Sequence, residues 1–264
     1  MKKQYEENNK WDDTDEIRMP TALSKLPEGA MRFLYHQTKQ MMGLMIDYKE
    51  LRMIYSCAMK EIKTKFEILN MEFNLEYHRN PISSIQTRLK STESIVSKLA
   101  KLNKPISIDS IEENIHDIAG IRVICFYIDD VFSVAEALLK QDDIVLVSRK
   151  DYITEPKENG YRSLHLIVKV PVFLAERRLE MEVEVQLRTL AMDFWSGLEH
   201  QLRYKSDYAE KDALKLELKR CAETINSIDR EMMQFRAKIE ELSDIPTEEE
   251  ILLDRFRKLD ISIE

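Results

Sequence analysis

The period of the apolar positions changes twice along the chain. Met41, Leu44, Tyr48, Leu51, Tyr55, Ala58 and Ile62 recur at alternating spacings of three and four, drawing one stripe along a long helix that ends before Asn80 and Pro81. Leu214, Leu218, Cys221, Ile225, Ile228, Met232, Phe235, Ile239 and Leu242 repeat that alternation near the other end, the pattern of a coiled-coil seam. Such narrow stripes fit helices that pack on each other or on copies from other subunits. Between them the period drops to two. Segments 118–128, 143–153, 161–173 and 179–187 are rich in β-branched and aromatic residues and read as strands, with a helix over 131–140 between the first two. The last strand alternates most strictly. Met181, Val183, Val185 and Leu187 fall on one face, while Glu182, Glu184, Gln186 and Arg188 fall on the other.

The expected architecture is α+β, with a sheet core at about 80–205 clasped by long terminal helices over 31–79 and 207–243, so that 31–245 form one domain. Residues 1–30 are polar, carry Pro20, Pro27 and Gly29, and show no sustained period, which predicts a loosely ordered, flexible arm. The tail over 246–264 is acidic.

Composition narrows the partners. The 264 residues carry Lys+Arg 40 against Asp+Glu 48, a formal net charge of −8, so no global basic field recruits nucleic acid or an anionic membrane. Any polyanion has to be met by a local patch. Cys57, Cys125 and Cys221 are widely spaced with no CxxC pair, which fits a reducing compartment and argues against zinc. The first residues lack an apolar signal-peptide core, and no run approaches the roughly 20 apolar residues of a membrane span. A cytoplasmic protein is expected.

The local patch exists. From Arg79 to Lys104 the chain carries Arg79, Arg88, Lys90, Lys98, Lys101 and Lys104 against one acid, Glu93, and Ser91 or Thr92 is placed to cap a short helix there. A solvated basic helix and a polyphosphate site both fit that pattern. Neither GxxxxGK nor GxGxxG occurs, so phosphates would be met by side chains and a metal ion instead of a backbone cradle. His116-Asp117 has the form of a metal-phosphohydrolase dyad, but a strand follows it directly, which weighs against that chemistry. In the strand begun by Asn159-Gly160, alternation puts Tyr161, Ser163 and His165 on one face, an aromatic and an imidazole suited to a base and its sugar or phosphates. Asp117 and Glu184 are the carboxylates best situated to hold Mg²⁺ on phosphates, and one of them could accept a hydroxyl proton.

Taken in order, RLKSTESIVSKL, HDIAGIRVICFYIDD, KDYITEPKENGYRSLHLIV, EVQLRTLAMDFWSGLEH and LRYK resemble the synthetase domain of stringent-response alarmone synthetases of the RelA/SpoT type, above all the small single-domain members. The resemblance runs from about Asn80 to Lys205. It implies a nucleotidyltransferase-like mixed sheet and transfer of the pyrophosphoryl group of ATP to the 3′-hydroxyl of GTP or GDP, giving AMP and pppGpp or ppGpp. Carried over, Asp117 and Glu184 would hold Mg²⁺ and Glu184 would activate the hydroxyl. Arg88 and Arg122 would embrace the adenine of ATP, with Lys90, Ser94, Lys98 and Lys101 near its phosphates. Tyr161 would stack on guanine, and Lys150, Lys157, His165 and Gln186 would contact the guanosine nucleotide, while Arg188 receives no defined role. The resemblance further implies synthesis without hydrolysis, a homotetramer built through the terminal helices, and regulation by product or single-stranded RNA. Two other readings stay open: a pyrophosphokinase acting on GMP, an adenine nucleotide or the 3′ end of tRNA, and a non-catalytic nucleotide- or RNA-binding oligomer. Against the binder, two carboxylates beside phosphates repel them unless a cation intervenes.

Overall fold

The computed structural model describes residues 28–77, 79–205, 212–242, 251, 252 and 255. All but the last three residues of the expected 1–30 arm, and most of the 246–264 tail, lie outside the described residues. The chain divides into two units, Met1–Glu50 and Leu51–Glu264. In the first, the described residues are helical, and Met41 and Leu44 of the apolar stripe are exposed there, as are Met42, Met45 and Ile46.

In the second unit, the same helix, α1 (Glu28–Tyr77), turns its stripe inward: Leu51, Tyr55, Ala58 and Ile62 are all buried, joined by Ile54 and Phe66. The chain then enters β1 (Ile82–Leu89), α2 (Thr92–Lys101), α3 (Ile108–Asn114), β2 (Ala119–Cys125), α4 (Ile128–Leu139), β3 (Val145–Asp151), β4 (Leu164–Phe173), β5 (Arg178–Thr189), α5 (Leu190–Lys205) and α6 (Asp212–Leu242). The five strands form one mixed sheet in the order β1-β2-β5-β4-β3, with β2 and β5 parallel and every other neighbouring pair antiparallel.

The alternation in the sequence is what gives the sheet its two faces. Ile121 and Val123 of β2, Leu164, Leu166 and Val168 of β4, and Val183, Val185 and Leu187 of β5 are essentially inaccessible. Against this apolar face packs α4, which buries Val131, Val134, Ala135 and Leu138 and touches β2 and β5. Roughly 25 cal/mol per Å² of buried apolar surface drives this contact, and it leaves the polar faces of β2, β4 and β5 looking the other way.

Three elements were not legible in the pattern. β1 (ISSIQTRL) has a mostly exposed, polar sequence and is a strand because it lies at the sheet edge, where β2 supplies its hydrogen bonds. α3 is only seven residues long, with Ser107 capping it through a bond from Ser110 N. α5 follows β5 without a break, and Thr189 Oγ1 accepts from Met192 N at the junction.

One expectation is corrected and another is narrowed. The strand at 161–173 begins at Leu164, and Ser163, expected beside Tyr161 and His165 on the polar face, is buried and donates to the Leu187 carbonyl at 3.1 Å. The expected seam of α6 is not the face it turns to its own core. Ala222 and Asp229 are buried, whereas Ile228, Met232, Phe235 and Ile239 are 50–59% exposed.

Gly160 ties the loop before β4 to α6. Its φ is +86°, and a Cβ there would stand 2.5 Å from the Ala222 Cβ, so both backbone strain and a clash oppose any side chain. Gly160→Ala is expected to cost about 1–3 kcal/mol from the backbone strain alone, and more from the clash. Urea unfolding reads this, and an unchanged midpoint would show that the loop and helix do not pack this closely.

Candidate active site

The polar face of the sheet carries a row of aligned side chains set by strand register. Gln86 on β1 is opposite Arg122 on β2, Arg122 is opposite Gln186 on β5, Gln186 is opposite His165 on β4, and His165 is opposite Lys150 on β3. Two residues along, Glu184 lies opposite Gly120, which in turn faces Arg88. Because Gly120 has no side chain, the space between Glu184 and Arg88 stays open. A cavity of about 380 Å³ fills it, lined among others by Arg88, Lys90, Asp117, Arg122, Glu184 and Gln186.

Asp117 stands at the entrance to β2 and is clamped by two ammonium groups, Lys90 Nζ to Oδ2 at 2.5 Å and Lys98 Nζ to Oδ1 at 2.8 Å. Local structure aims both lysines. The Lys90 backbone is held by its N–H to the Ile118 carbonyl and by Arg52 Nη1 to its own carbonyl, while Lys98 rides on α2, whose N-cap Ser91 accepts from Ser94 N. Burial raises the Asp117 carboxyl, but the hydrogen bonds and charges of Lys90 and Lys98 outweigh it and hold the group below the usual carboxylate range.

Glu184 is flanked by Gln186 Nε2, which donates to Oε2 at 3.0 Å, and by His165 Nδ1, 3.5 Å from Oε1. Burial again pushes its carboxyl up and Asp117 adds to that, yet His165 and Gln186 prevail and the net direction is down. Both carboxylates are therefore ionised at neutral pH.

Beyond Glu184 lies an aromatic cluster. The rings of Tyr161 and His165 meet edge to face with centroids 5.8 Å apart, and Tyr152 approaches His165 in the same manner at 5.3 Å. Lys157 Nζ lies 4.6 Å from the Tyr152 centroid and 5.0 Å from that of Tyr161. Its loop is built by Asp151, whose carboxylate accepts from the N–H groups of Ile153 and Thr154 and from the Thr154 hydroxyl.

Most of the residues singled out from the sequence thus gather on one face. Arg88, Lys90, Asp117, Arg122, Glu184 and Gln186 line the cavity, Lys98 pairs with Asp117 there, and Lys157, Tyr161 and His165 form the neighbouring cluster. Lys150 is exposed at the end of the row on the edge strand. Ser94 is engaged in the first turn of α2 with Ser91, and Lys101 is exposed at the end of that helix; neither lines the cavity. Arg79, counted in the basic segment, instead pairs with buried Asp130 at 2.7 Å. Sequence reasoning passed over Tyr152 and Asp193, the latter 3.4 Å from both Arg122 Nη1 and Arg188 Nη1. Tyr152 lies just past the end of β3 and Asp193 in the first turn of α5, so no strand alternation marks either.

Among the described residues, no group of three or more His, Cys, Asp or Glu side chains gathers as a metal site. Two carboxylates on one cavity, Asp117 and Glu184, fit Mg²⁺, which takes one or two protein carboxylates and fills its remaining positions with water and substrate phosphates.

Residues 87–209 match the model of a region found in RelA/SpoT proteins. The GTP pyrophosphokinase YwaC of Bacillus subtilis is 42% identical over 197 residues, which are 75% of this chain and 94% of that protein. The chain belongs to the RelA/SpoT family. Within it, the crystal structure of small alarmone synthetase 2 from Bacillus subtilis is similar with a TM-score of 0.66 at 42% identity, over 73% of this chain and 99% of that one. Small alarmone synthetase 1 from the same organism, solved with its product pppGpp, has a TM-score of 0.66 at 34% identity, over 74% of this chain and 98% of that one. The mixed-sheet α+β fold of these RelA/SpoT proteins is the fold described above.

Because Asp117 is held below its unfolded value of about 3.9, the stability it contributes is complete above that pH and disappears as the pH falls through the lower folded value. The urea midpoint of wild type is expected to drop more steeply below about pH 4 than that of Asp117→Asn. Parallel curves would show that the lysine clamp does not form in solution.

Proposed function

We propose that this protein synthesises (p)ppGpp by transferring the pyrophosphoryl group of ATP to the 3′-hydroxyl of GTP or GDP, releasing AMP. The observation that carries the reading is a pair of ionised carboxylates, Asp117 and Glu184, facing one cavity whose rim holds Arg88, Lys90 and Arg122 and whose neighbour is an aromatic and imidazole cluster. Its relatives named GTP pyrophosphokinase and small alarmone synthetase, one of them bound to pppGpp, support it.

In this reading Arg88 and Arg122 flank the adenine, and Lys90 and Lys98 pass from Asp117 to the phosphates of ATP; Ser94 and Lys101 lie further out along α2. The guanine stacks on Tyr161 once the Lys157 ammonium moves off the ring, and Lys150, Lys157, His165 and Gln186 are the polar groups around the acceptor. Glu184 accepts the proton of the 3′-hydroxyl as its oxygen attacks the β-phosphorus of ATP, and the bond to the α-phosphate oxygen breaks to free AMP. Asp117 and Glu184 would hold Mg²⁺, which when bound neutralises the transferring phosphates. The rest of catalysis is positioning, as in other phosphoryl transfers.

The reading includes a cytoplasmic homotetramer. In its support, no helix among the described residues is long and apolar enough to cross a membrane, and Ile228, Met232, Phe235 and Ile239 offer an apolar stripe along α6. Exposed apolar patches of this kind mark association surfaces.

Incubation with ATP, Mg²⁺ and GTP or GDP is expected to yield equimolar AMP and a guanosine 3′-pyrophosphate by anion-exchange chromatography, and Glu184→Gln to abolish both while keeping the fold. AMP formed only with GMP, an adenine nucleotide or tRNA would assign another acceptor, and wild-type turnover in Glu184→Gln would remove Glu184 from the mechanism. Tyr161→Ala should raise KM for GDP by about 5- to 150-fold, the equivalent of roughly 1–3 kcal/mol of stacking. An unchanged KM would contradict the stacking role. Light scattering should give a multiple of the 31.2 kDa chain mass, and a monomer at micromolar concentration would rule out the tetramer.

A further inference from the structure

Arg188 is the largest fully buried side chain in the molecule among the described residues, with 1% of its surface exposed, and the catalytic scheme above gives it no task. Burying a guanidinium is costly, and its charge is balanced here by one carboxylate, Asp193, at 3.4 Å, while its Nε has no partner. An apolar side chain would fill the same space at lower cost. What an apolar residue would not supply is hydrogen-bond polarity.

The Nη2 nitrogen of Arg188 donates to two acceptors, Gln186 Oε1 at 2.8 Å and the Tyr161 hydroxyl at 3.0 Å. Arginine has donors only. The Gln186 amide can therefore meet it only through its oxygen, which turns Nε2 toward Glu184 Oε2, 3.0 Å away. On the other arm, the Tyr161 oxygen accepts from Arg188, so its O–H is available for His165 Nε2, 2.9 Å away. A neutral imidazole that accepts at Nε2 carries its proton on Nδ1, and Nδ1 is the atom 3.5 Å from Glu184 Oε1.

We propose that Arg188 is a positioning residue whose donors fix the Gln186 amide and the His165 tautomer, so that two N–H groups converge on the two oxygens of Glu184. The carboxylate is thereby held in one orientation on the cavity floor from both sides. The proposal deepens the pyrophosphoryl-transfer reading and rests on it for the purpose of that orientation. The hydrogen-bond relay itself stands on geometry alone.

The test is the tautomer of His165, read by long-range ¹H–¹⁵N correlation in histidine-labelled protein at a pH where the ring is neutral, with His165→Asn used for assignment. Wild type is expected in the Nδ1–H form. Arg188→Met, which keeps the bulk and removes the donors, should give a mixture of tautomers and a kcat lower by about 10–100-fold, with KM for ATP nearly unchanged. Tyr161→Phe retains the ring and removes only the connecting hydroxyl, so it should disturb the tautomer in a protein that folds even where Arg188→Met does not. An Nε2–H tautomer in wild type, or an undisturbed Nδ1–H form in both variants, would overturn the relay. The tautomer measurement needs no turnover, so it decides the role of Arg188 even in a protein that makes no AMP, the result that would sink the functional reading instead.

Discussion

The parallel pairing of β2 with β5 is the constraint on which the site depends. It sets Gly120 against Glu184 and Arg122 against Gln186, and so decides which side chains share the cavity floor. A slip of one residue would reverse the faces of β5, burying Glu184 and Gln186 and exposing Val183, Val185 and Leu187. The apolar contact with α4 prevents that slip, since those residues are already inaccessible beneath it. Core packing and active-site geometry are in this sense one interaction viewed from opposite sides of the sheet.

Charge within the site is arranged by neighbours that oppose the cost of burial. Asp117 stays ionised because two lysines grip it, and Glu184 because an amide and an imidazole do. These are different devices for different tasks. Ammonium groups on flexible stems can leave a carboxylate for incoming phosphates, whereas the amide and imidazole beside Glu184 are themselves tied to Tyr161 and Arg188 and form a stiffer frame. In a chain with a net charge of −8, Arg88, Lys90 and Arg122 nonetheless converge on one cavity.

Strand β5 is largely legible in the sequence. Its strict alternation assigned Met181, Val183, Val185 and Leu187 to the apolar face correctly, because period two is a direct consequence of the pleat, but it did not show that Arg188 on the polar face is buried as well. The buried half of α1 was legible for the same reason, with a period of 3.6 in place of two. β1 was not. Its sequence is polar, and its strand conformation comes from backbone hydrogen bonds to β2, whose paired residues lie thirty or more positions away in sequence. Ser163 departs from the alternation because the ladder begins at Leu164, so the residues before it do not follow the pleat. For α6 the periodicity marked a real apolar stripe but not its partner, and the face turned to the core proved to be the one carrying Ala222 and Asp229.

By itself the sequence determined the class of fold, the local basic reversal between Arg79 and Lys104, and the two carboxylates, aromatic and imidazole groups on the polar face of the sheet. These follow from periodicity, composition and short-range motif order, which are properties of neighbouring residues. The tertiary structure alone decided that Lys90 and Lys98 clamp Asp117, that Gly120 leaves a cavity before Glu184, and that Arg188 is buried with its donors on Gln186 and Tyr161. Each depends on strand order and register, and register is fixed by how apolar faces far apart in sequence come to share one core.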